Sequence, residues 1–299
     1  MRVILLFALA AAALGMPSAT LASAIRPAPP QPPALIFGLD QSFDYAMQAD
    51  TDDFGGDLAT YGSETTLSLT KLYTRTRANV ALGYGIGVYD FDTTGPLDEY
   101  HNVSLRVDGN HRFAQTKWGA FGVAGLRFSG SFEGSALWEG RTGLIGFGPS
   151  YSFSRRLTVA LGLSALDSPE RDVRFFPLVF VDWQISDDWR LEVLQGVELS
   201  YALDEDWVAF LKIGVDQQSI RLGTQAVPGT PVSAEPVLED FAVNLGSGVE
   251  YRPIDAVFVR GALGANVYRE LTLREQERDR VEDTLGPALT VEISAGVRF

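Results

Sequence analysis

Two histidines are the first residues in this chain that could support catalysis. His101 and His111 are its only histidines, and both lie in the stretch YHNVSLRVDGNHRF. A serine nucleophile needs a His base, but neither histidine is accompanied by a G-x-S-x-G motif or a paired Asp/Glu motif. Both share the parity of Leu105, which places them on an apolar face. The sequence therefore predicts that the protein is not an enzyme.

Metal and cofactor chemistry lack support as well. The chain has no Cys, and its two histidines are ten residues apart. The acidic stretch FDYAMQADTDDFGGD places the carboxylates of Asp44–Asp57 close enough to suggest Ca²⁺, but it lacks the spacing of a calcium loop. A glycine-rich nucleotide loop is followed by a helix, and no helix is predicted after the GYGIG run at Gly83–Gly87. We expect a solvated acidic loop, no metal and no cofactor.

Isolated charges among small residues are the third group with possible chemistry. Charges of both signs that face a common interior can form rings that set ion selectivity. They can equally pair with one another and merely fill the space. Both alternatives stay open for the eleven candidates, which are Arg106, Asp108, Arg190, Glu192, Glu198, Lys212, Asp216, Glu250, Arg260, Glu292 and Arg298.

The elements that position these charges have a period of two. Apolar residues alternate with small or polar ones in Asn79–Tyr89, Leu157–Ala165, Trp207–Asp216 and Phe241–Tyr251. Side chains alternate faces on a strand, so each stretch predicts a β-strand with one apolar face. The other face is rich in Gly, Ala and Ser with scattered charges. This favours the lumen of a membrane barrel over the exposed face of a soluble β-sandwich or soluble barrel, as do strands of roughly ten to fourteen residues.

Loop lengths support the same architecture, because outer-membrane barrels alternate short periplasmic turns with longer outside loops. The predicted tight turns are Tyr73–Thr76, Phe113–Lys117, Ser154-Arg155, Ser186–Asp188, Leu203–Asp206 and Arg252–Asp255. The predicted long loops are Ala46–Gly62, Asp90–Glu99, Glu133–Gly140, Asp167–Asp172, Gly223–Glu239 and Leu271–Leu285. The charged stretch from Leu273 to Asp283 is a loop or a strand extension into water.

The alternation fails at one place. Two successive tight turns, Ser186–Asp188 and Leu203–Asp206, cannot both be periplasmic if a single strand joins them. A hidden reversal at Gln195-Gly196 resolves the conflict and gives fourteen strands, an even number as in closed bacterial barrels. The alternatives are thirteen strands, or twelve without the weak first strand.

The N-terminus predicts export. Arg2 precedes the apolar run Val3–Leu14, and Ala22-Ser23-Ala24 is a small-residue cleavage site, so residues 1–24 are typical of a signal peptide. The Pro-rich residues 25–33 follow as a periplasmic lead-in, and residues 34–299 form a single barrel domain. The net charge of −14 argues against nucleic acid as a partner.

Aromatic residues cluster near the predicted tight turns, as expected of a girdle in the headgroup zone of the membrane. They are Trp118, Tyr151, Phe153, Trp183, Trp189, Tyr201, Trp207 and Tyr251.

Two stretches carry a family resemblance. The alternating C-terminus VEISAGVRF, which ends on Phe299, resembles the signature that barrel-assembly machinery reads, although Val297 stands where that signature usually has an aromatic residue. The segment from Trp183 to Phe210 resembles outer-membrane β-barrel domains of unknown function. The resemblance implies an all-β, transmembrane, antiparallel up-and-down barrel in the outer membrane of a Gram-negative-type bacterium. It implies no activity and no site.

The expected function follows from this fold class. We expect a porin-like passive pore or transport channel for small solutes, because a fourteen-stranded barrel is wide enough for an aqueous lumen. The alternative is a non-conducting structural or surface-interaction barrel that acts through its extracellular loops. The expected partners are outer-membrane lipid and, through Phe299, the barrel-assembly machinery.

Overall fold

A computed structural model describes residues 34–51, 56–92, 97–131, 136–169, 171–193, 196–222, 236–275 and 278–299. The predicted signal peptide and Pro-rich lead-in lie outside the described residues. The signal peptide and the lead-in therefore remain predictions. Parts of the predicted long loops also lie outside the described residues. Among the described residues, no helix is long and apolar enough to cross a membrane.

The described residues form strand segments and one short helix. Their bounds are β1 Ala34–Thr51, β2 Gly56–Leu72, β3 Thr76–Phe91, β4 Glu99–Arg112, β5 Trp118–Gly130, α1 Ala136–Glu139, β6 Arg141–Ser152, β7 Leu157–Ser168, β8 Arg171–Gln184, β9 Trp189–Val193, β10 Gly196–Ala202, β11 Trp207–Arg221, β12 Val237–Ile254, β13 Val257–Glu275, β14 Arg278–Leu285 and β15 Ala288–Arg298.

The strands close into a barrel of fourteen. Neighbours in the chain pair antiparallel from β1 to β13. β14 and β15 both pair with β13 and are separated only by Gly286-Pro287, so together they make one interrupted strand. β15 then pairs with β1 and completes the ring. At the seam, the backbone N–H of Phe37 donates to the carbonyl of Phe299 at 2.7 Å, and that of Phe299 donates back at 3.0 Å. The predicted fold class and the count of fourteen are confirmed.

The hidden reversal is real. β9 and β10 pair antiparallel with Val193 opposite Val197, and residues 194 and 195 between them lie outside the described residues. These two strands have only 5 and 7 residues. The hairpin therefore spans much less of the wall than its neighbours β8 and β11.

Three predicted long loops are wrong in extent. Most of Ala46–Gly62 is not a loop, because β1 continues to Thr51, β2 begins at Gly56, and Asp50 lies opposite Asp57. Asp44 is thus a strand residue, and residues 52–55 of the acidic stretch lie outside the described residues. Most of Leu271–Leu285 belongs to β13 and β14. Of the two alternatives for the charged stretch, a loop or a strand extension, the structure has the strand extension. Asp167–Asp172 is short, because β7 ends at Ser168 and β8 begins at Arg171. Polar composition cannot separate a loop from a strand that continues into water, since both are solvated.

The outer face of the wall is apolar. Large side chains that would be buried in a soluble protein are exposed along the strands, including Phe147 (68 %), Leu163 (62 %) and Phe175 (74 %). Opposite residues of neighbouring strands share this face, as Val80 and Val107 do. An apolar surface that circles the whole molecule is explained by contact with lipid. The protein is therefore a transmembrane β-barrel.

The predicted aromatic girdle forms at the end of the barrel that carries the tight turns. Ring centroids lie 4.8 Å apart for Trp118 and Tyr151, 4.7 Å for Trp189 and Tyr201, and 4.6 Å for Trp207 and Tyr251. These rings sit where amphipathic side chains meet headgroups. They mark this tight-turn end as one membrane interface.

A disulfide tests the β9–β10 reversal. Leu191 and Leu199 lie directly opposite each other, at a non-hydrogen-bonded position, where side chains come closest. The natural chain has no Cys. Leu191→Cys with Leu199→Cys should therefore form a disulfide on mild oxidation, read as a thiol titration of the folded barrel. The control, Leu191→Cys with Ser200→Cys, should stay reduced because its thiols face opposite sides of the wall. Equal oxidation of both pairs would contradict the reversal.

Candidate functional site in the barrel interior

Strand alternation carries the charges inward. On the β3–β4 pair, Val80 and Val107 face lipid, whereas Asn79 opposes Asp108 and Ala81 opposes Arg106 on the inner face. Arg106 and Asp108 are almost completely buried, and their Nη2 and Oδ1 atoms lie 2.9 Å apart. Asn79 Nδ2 donates to the same carboxylate at 3.0 Å. This inner column is a polar network that is neutral overall.

Arg260 is the centre of a second network, on β10–β13. Its guanidinium contacts Glu198 at 2.5 Å and Glu250 at 3.7 Å. The same group lies 3.6 Å from the ring centroid of Phe210, in a cation–π contact. One cation thus joins two carboxylates and an aromatic ring on three different strands.

The other predicted charges are paired as well. Lys212 pairs with Glu292, and Arg190 pairs with Glu192 and, at 3.0 Å, with Asp182. Arg298 reaches Asp40 at 2.8 Å, and Asp216 accepts a hydrogen bond from Asn244. All eleven candidates therefore have a partner inside the barrel. Whether any of them selects a solute remains a prediction.

Several charges on the inner face were not among the eleven predicted candidates. Arg269 contacts Asp240 at 2.5 Å and donates to Thr60 at 3.0 Å, and Tyr89 donates to the same carboxylate at 2.7 Å. Asp44 also lines the interior. These residues were missed because they lie in or beside stretches that were predicted to be loops. The period of two, followed past the expected strand ends, would have identified them.

Seven of the eleven candidate charges line a cavity of about 370 Å³ inside the barrel, whereas Arg106, Asp108, Arg190 and Glu250 do not. Its wall comes mainly from β1, β2, β10 to β13 and β15. Eight carboxylates and five cations line it, a difference of three negative charges. The carboxylates are those of Asp40, Asp44, Glu64, Glu192, Glu198, Asp216, Asp240 and Glu292, and the cations are Arg127, Lys212, Arg260, Arg269 and Arg298.

A large part of the inner face of β5 to β8 is apolar, which the sequence did not predict. Buried side chains of these strands form one cluster, in which the rings of Phe121 and Phe180 lie 4.7 Å apart. Glycines make the room: a Cβ on Gly146 would come within 2.6 Å of Leu178, and one on Gly162 within 2.9 Å of Phe121. The expected small polar interior is therefore found on only part of the wall. We call this set the β5–β8 cluster.

A second apolar cluster lies at the long-loop end, opposite the tight turns. It includes Leu58, Ile220, Leu222, Leu238 and Leu271, all with at most 1 % exposure. We call it the outer cluster.

The short β9–β10 hairpin explains how these strand ends meet. β10 pairs with β11 only as far as Gly214, so the rest of β11 has no neighbour on that side among the described strands. Instead its last residue, Arg221, pairs with Gly130 of β5, and Ser131 N–H donates to the Arg221 carbonyl at 3.3 Å. The end of β11 thus crosses toward β5.

The two histidines lie far apart at the ends of β4. His101 Nδ1 is 2.9 Å from Tyr84 Oη, and its Nε2 is 2.9 Å from Glu99. His111 Nδ1 is 2.8 Å from Thr76 Oγ1. The contacts of both rings are those of strand-end residues.

Solved structures with a similar architecture are outer-membrane barrels. The translocator domain of autotransporter NalP from Neisseria meningitidis is 14% identical over 89% of each chain, with a TM-score of 0.39. An outer membrane channel from Pseudomonas putida F1 is 10% identical over 92% of this chain and 98% of that chain, with a TM-score of 0.48. A Pseudomonas aeruginosa FadL homologue is 9% identical over 88% and 90%, with a TM-score of 0.45. At these values the likeness carries no argument about substrate. No family model and no curated protein matches the sequence.

Removing Arg260 should destabilise the barrel strongly. Arg260→Ala leaves Glu198 and Glu250 without their shared cation, and breaking such a buried pair costs about 3 kcal/mol or more. The free energy of unfolding is measured in urea, with heat-modifiable gel migration as the readout. The control is Arg156→Ala, which breaks an exposed 2.6 Å pair with Asp187 and should cost less than about 1 kcal/mol. Equal losses would show that the interior charges do not hold the strands together.

Proposed function

We propose that the protein is an outer-membrane channel for small solutes, oriented with its tight turns in the periplasm. The observation that carries this proposal is the charge-lined cavity inside a closed wall of fourteen strands. Water and polar solutes are stabilised there by side chains that converge from several strands. The C-terminal strand, which ends on the exposed Phe299, is the segment that we expect the barrel-assembly machinery to recognise.

The outer cluster gives this channel a gate. Its leucines and isoleucine exclude water at the long-loop end of the lumen. A hydrophobic constriction stops ions by dewetting, without any need for a folded plug. The conformation described here is therefore the closed one, and opening requires the ends of β11, β12 and β13 to separate.

The same apolar packing favours the second candidate function, a non-conducting structural barrel that acts through its extracellular loops. The β5–β8 cluster fills its side of the lumen as a core would. If the outer cluster never opens, the interior charges serve stability alone. Conductance separates the two functions.

Single-channel recording in a planar bilayer tests the channel. The wild-type protein should give infrequent openings, and Leu222→Ser should lengthen them because a hydroxyl helps water to enter the outer cluster. The matched control is Leu144→Ser, which places the same hydroxyl in the β5–β8 cluster, away from the gate. Silence from all three proteins, with insertion confirmed, would favour the structural barrel.

The cavity should also prefer cations, because carboxylates exceed cations on its wall. The reversal potential in a KCl gradient should have the sign of K⁺ permeation. Asp44→Asn with Asp216→Asn removes two of these charges and should lower the K⁺/Cl⁻ permeability ratio by about half or more. The control, Asp187→Asn with Asp188→Asn, makes the same charge change on a tight turn outside the cavity and should leave the ratio unchanged. An anion preference of the wild-type protein would contradict the charge assignment.

A further inference from the structure

A basic pocket lies at the tight-turn end, apart from the acidic cavity. It is formed by the β2–β3 turn, the β4–β5 turn and the ends of β3 and β4 between them, and it has a volume of about 450 Å³. Four cations line it: Arg75, Arg77, Arg112 and Lys117. None of its lining residues is Asp or Glu. In a chain with 38 acidic and 24 basic residues, such a concentration of positive charge is not expected from composition.

Two hydrogen-bond donors at this pocket have no acceptor within the part of the chain that the structure describes. Arg77 and Asn110 are directly opposite each other on β3 and β4. Arg77 Nε and Asn110 Nδ2 are both buried, and neither has a hydrogen-bond partner among the described residues. Buried donors are normally satisfied. The nearby carboxylate of Asp108, one inner position along β4, contacts Arg106 at 2.9 Å and Asn79 at 3.0 Å through its Oδ1 atom, and its buried Oδ2 atom makes no hydrogen bond to Arg77 or Asn110.

Two further cations of the pocket, Arg112 and Lys117, donate to backbone carbonyls. Arg112 Nε donates to the Thr116 carbonyl at 3.3 Å, and Lys117 Nζ donates to the Phe153 carbonyl at 3.3 Å. Both side chains are exposed and form no ion pair in the part of the chain that the structure describes. Their charges are therefore free to act on a ligand.

Two other tight turns are acidic, and the arginine pair of the β6–β7 turn is partly neutralised, because Arg156 pairs with Asp187 at 2.6 Å. The β8–β9 turn contains Asp187 and Asp188, and the β10–β11 turn contains Asp204, Glu205 and Asp206. One arc of the rim is thus basic and the opposite arc acidic. An anion that approaches the tight-turn end is directed to the basic arc.

We propose that this pocket is a binding site for a phosphate group. Guanidinium forks match the oxygens of a phosphate in a bidentate manner, and the buried amide of Asn110 adds a neutral donor. The phosphate can belong to a soluble phosphorylated compound or to a lipid headgroup, because the pocket lies beside the exposed Tyr73, Phe113 and Trp118 of the membrane interface. The site goes beyond the proposed channel, since it needs no open lumen.

The first test is binding of inorganic phosphate to the full barrel in octyl glucoside, a detergent without phosphate, by isothermal titration calorimetry. Arg77→Gln with Arg112→Gln should raise the Kd about tenfold or more. Arg155→Gln with Arg156→Gln makes the same charge change on the neighbouring β6–β7 turn and should leave the Kd unchanged. Arg112→Gln alone, at an exposed position, serves if the double variant fails to show heat-modifiable migration.

The second test uses phosphatidylglycerol in phosphatidylcholine nanodiscs, with retained lipid counted by native mass spectrometry. Phosphate binding without selective lipid retention supports a soluble phosphorylated ligand. Retention of phosphatidylglycerol by the wild-type protein and not by the pocket variant supports a headgroup. If neither probe distinguishes the wild-type protein from the pocket variant, the proposal is overturned. Because neither readout involves conduction, this failure is distinct from failure of the channel.

Discussion

Closure of the strand wall is the constraint on which the rest of this structure depends. In lipid no water is available to bond an exposed N–H or C=O group, so each strand must find a neighbour on both sides. The two hydrogen bonds between Phe37 and Phe299 at the seam meet this demand at the chain end. Once the wall is closed, the outer face of every strand meets lipid and must be apolar. The inner faces of all fourteen strands point into the same lumen. The apolar belt, the girdle and the inner charge pairs all follow from that geometry.

Convergence explains why the interior charges are paired. An unpaired charge inside the wall would lose its hydration without compensation, and the barrel brings residues distant in sequence close enough to prevent this. Arg298 and Asp40 meet at 2.8 Å because the first and last strands are neighbours. Among the buried donors without a hydrogen-bond partner in the described part of the chain are those of Arg77 and Asn110, at the tight-turn ends of β3 and β4. The inner column is neutral, whereas this pocket is lined by four cations and by no Asp or Glu. The pocket therefore attracts anions.

The short β9–β10 hairpin sets the shape of the lumen. Above Gly214 the wall lacks a strand beside β11, and the end of β11 crosses to Gly130 of β5. This crossing lies at the same end as the outer cluster, which includes Ile220 at the end of β11 and Leu222 just beyond it. The feature that makes the strand number even therefore also narrows the long-loop end. The charge-lined cavity and the outer cluster thus both depend on this strand arrangement. Any conduction depends on how readily the outer cluster opens.

The sequence by itself determined the class of fold, because alternation with period two and the positions of tight turns are local properties of the chain. It located the hidden reversal near Gly196 and the aromatic girdle, and strand parity was the basis on which the eleven lumen charges were predicted. It did not determine the lengths of β1, β2 and β13, since solvated strand ends and loops have the same composition. It also could not show that Phe176, Leu178 and Phe180 form a core inside the barrel. β8 is apolar on both faces, and only the neighbouring strands show which face packs inside and which meets lipid. The pairing of Arg260 with Glu198, and the pocket formed by two separate turns, exist only through tertiary structure, because they depend on which strands the closed wall makes neighbours.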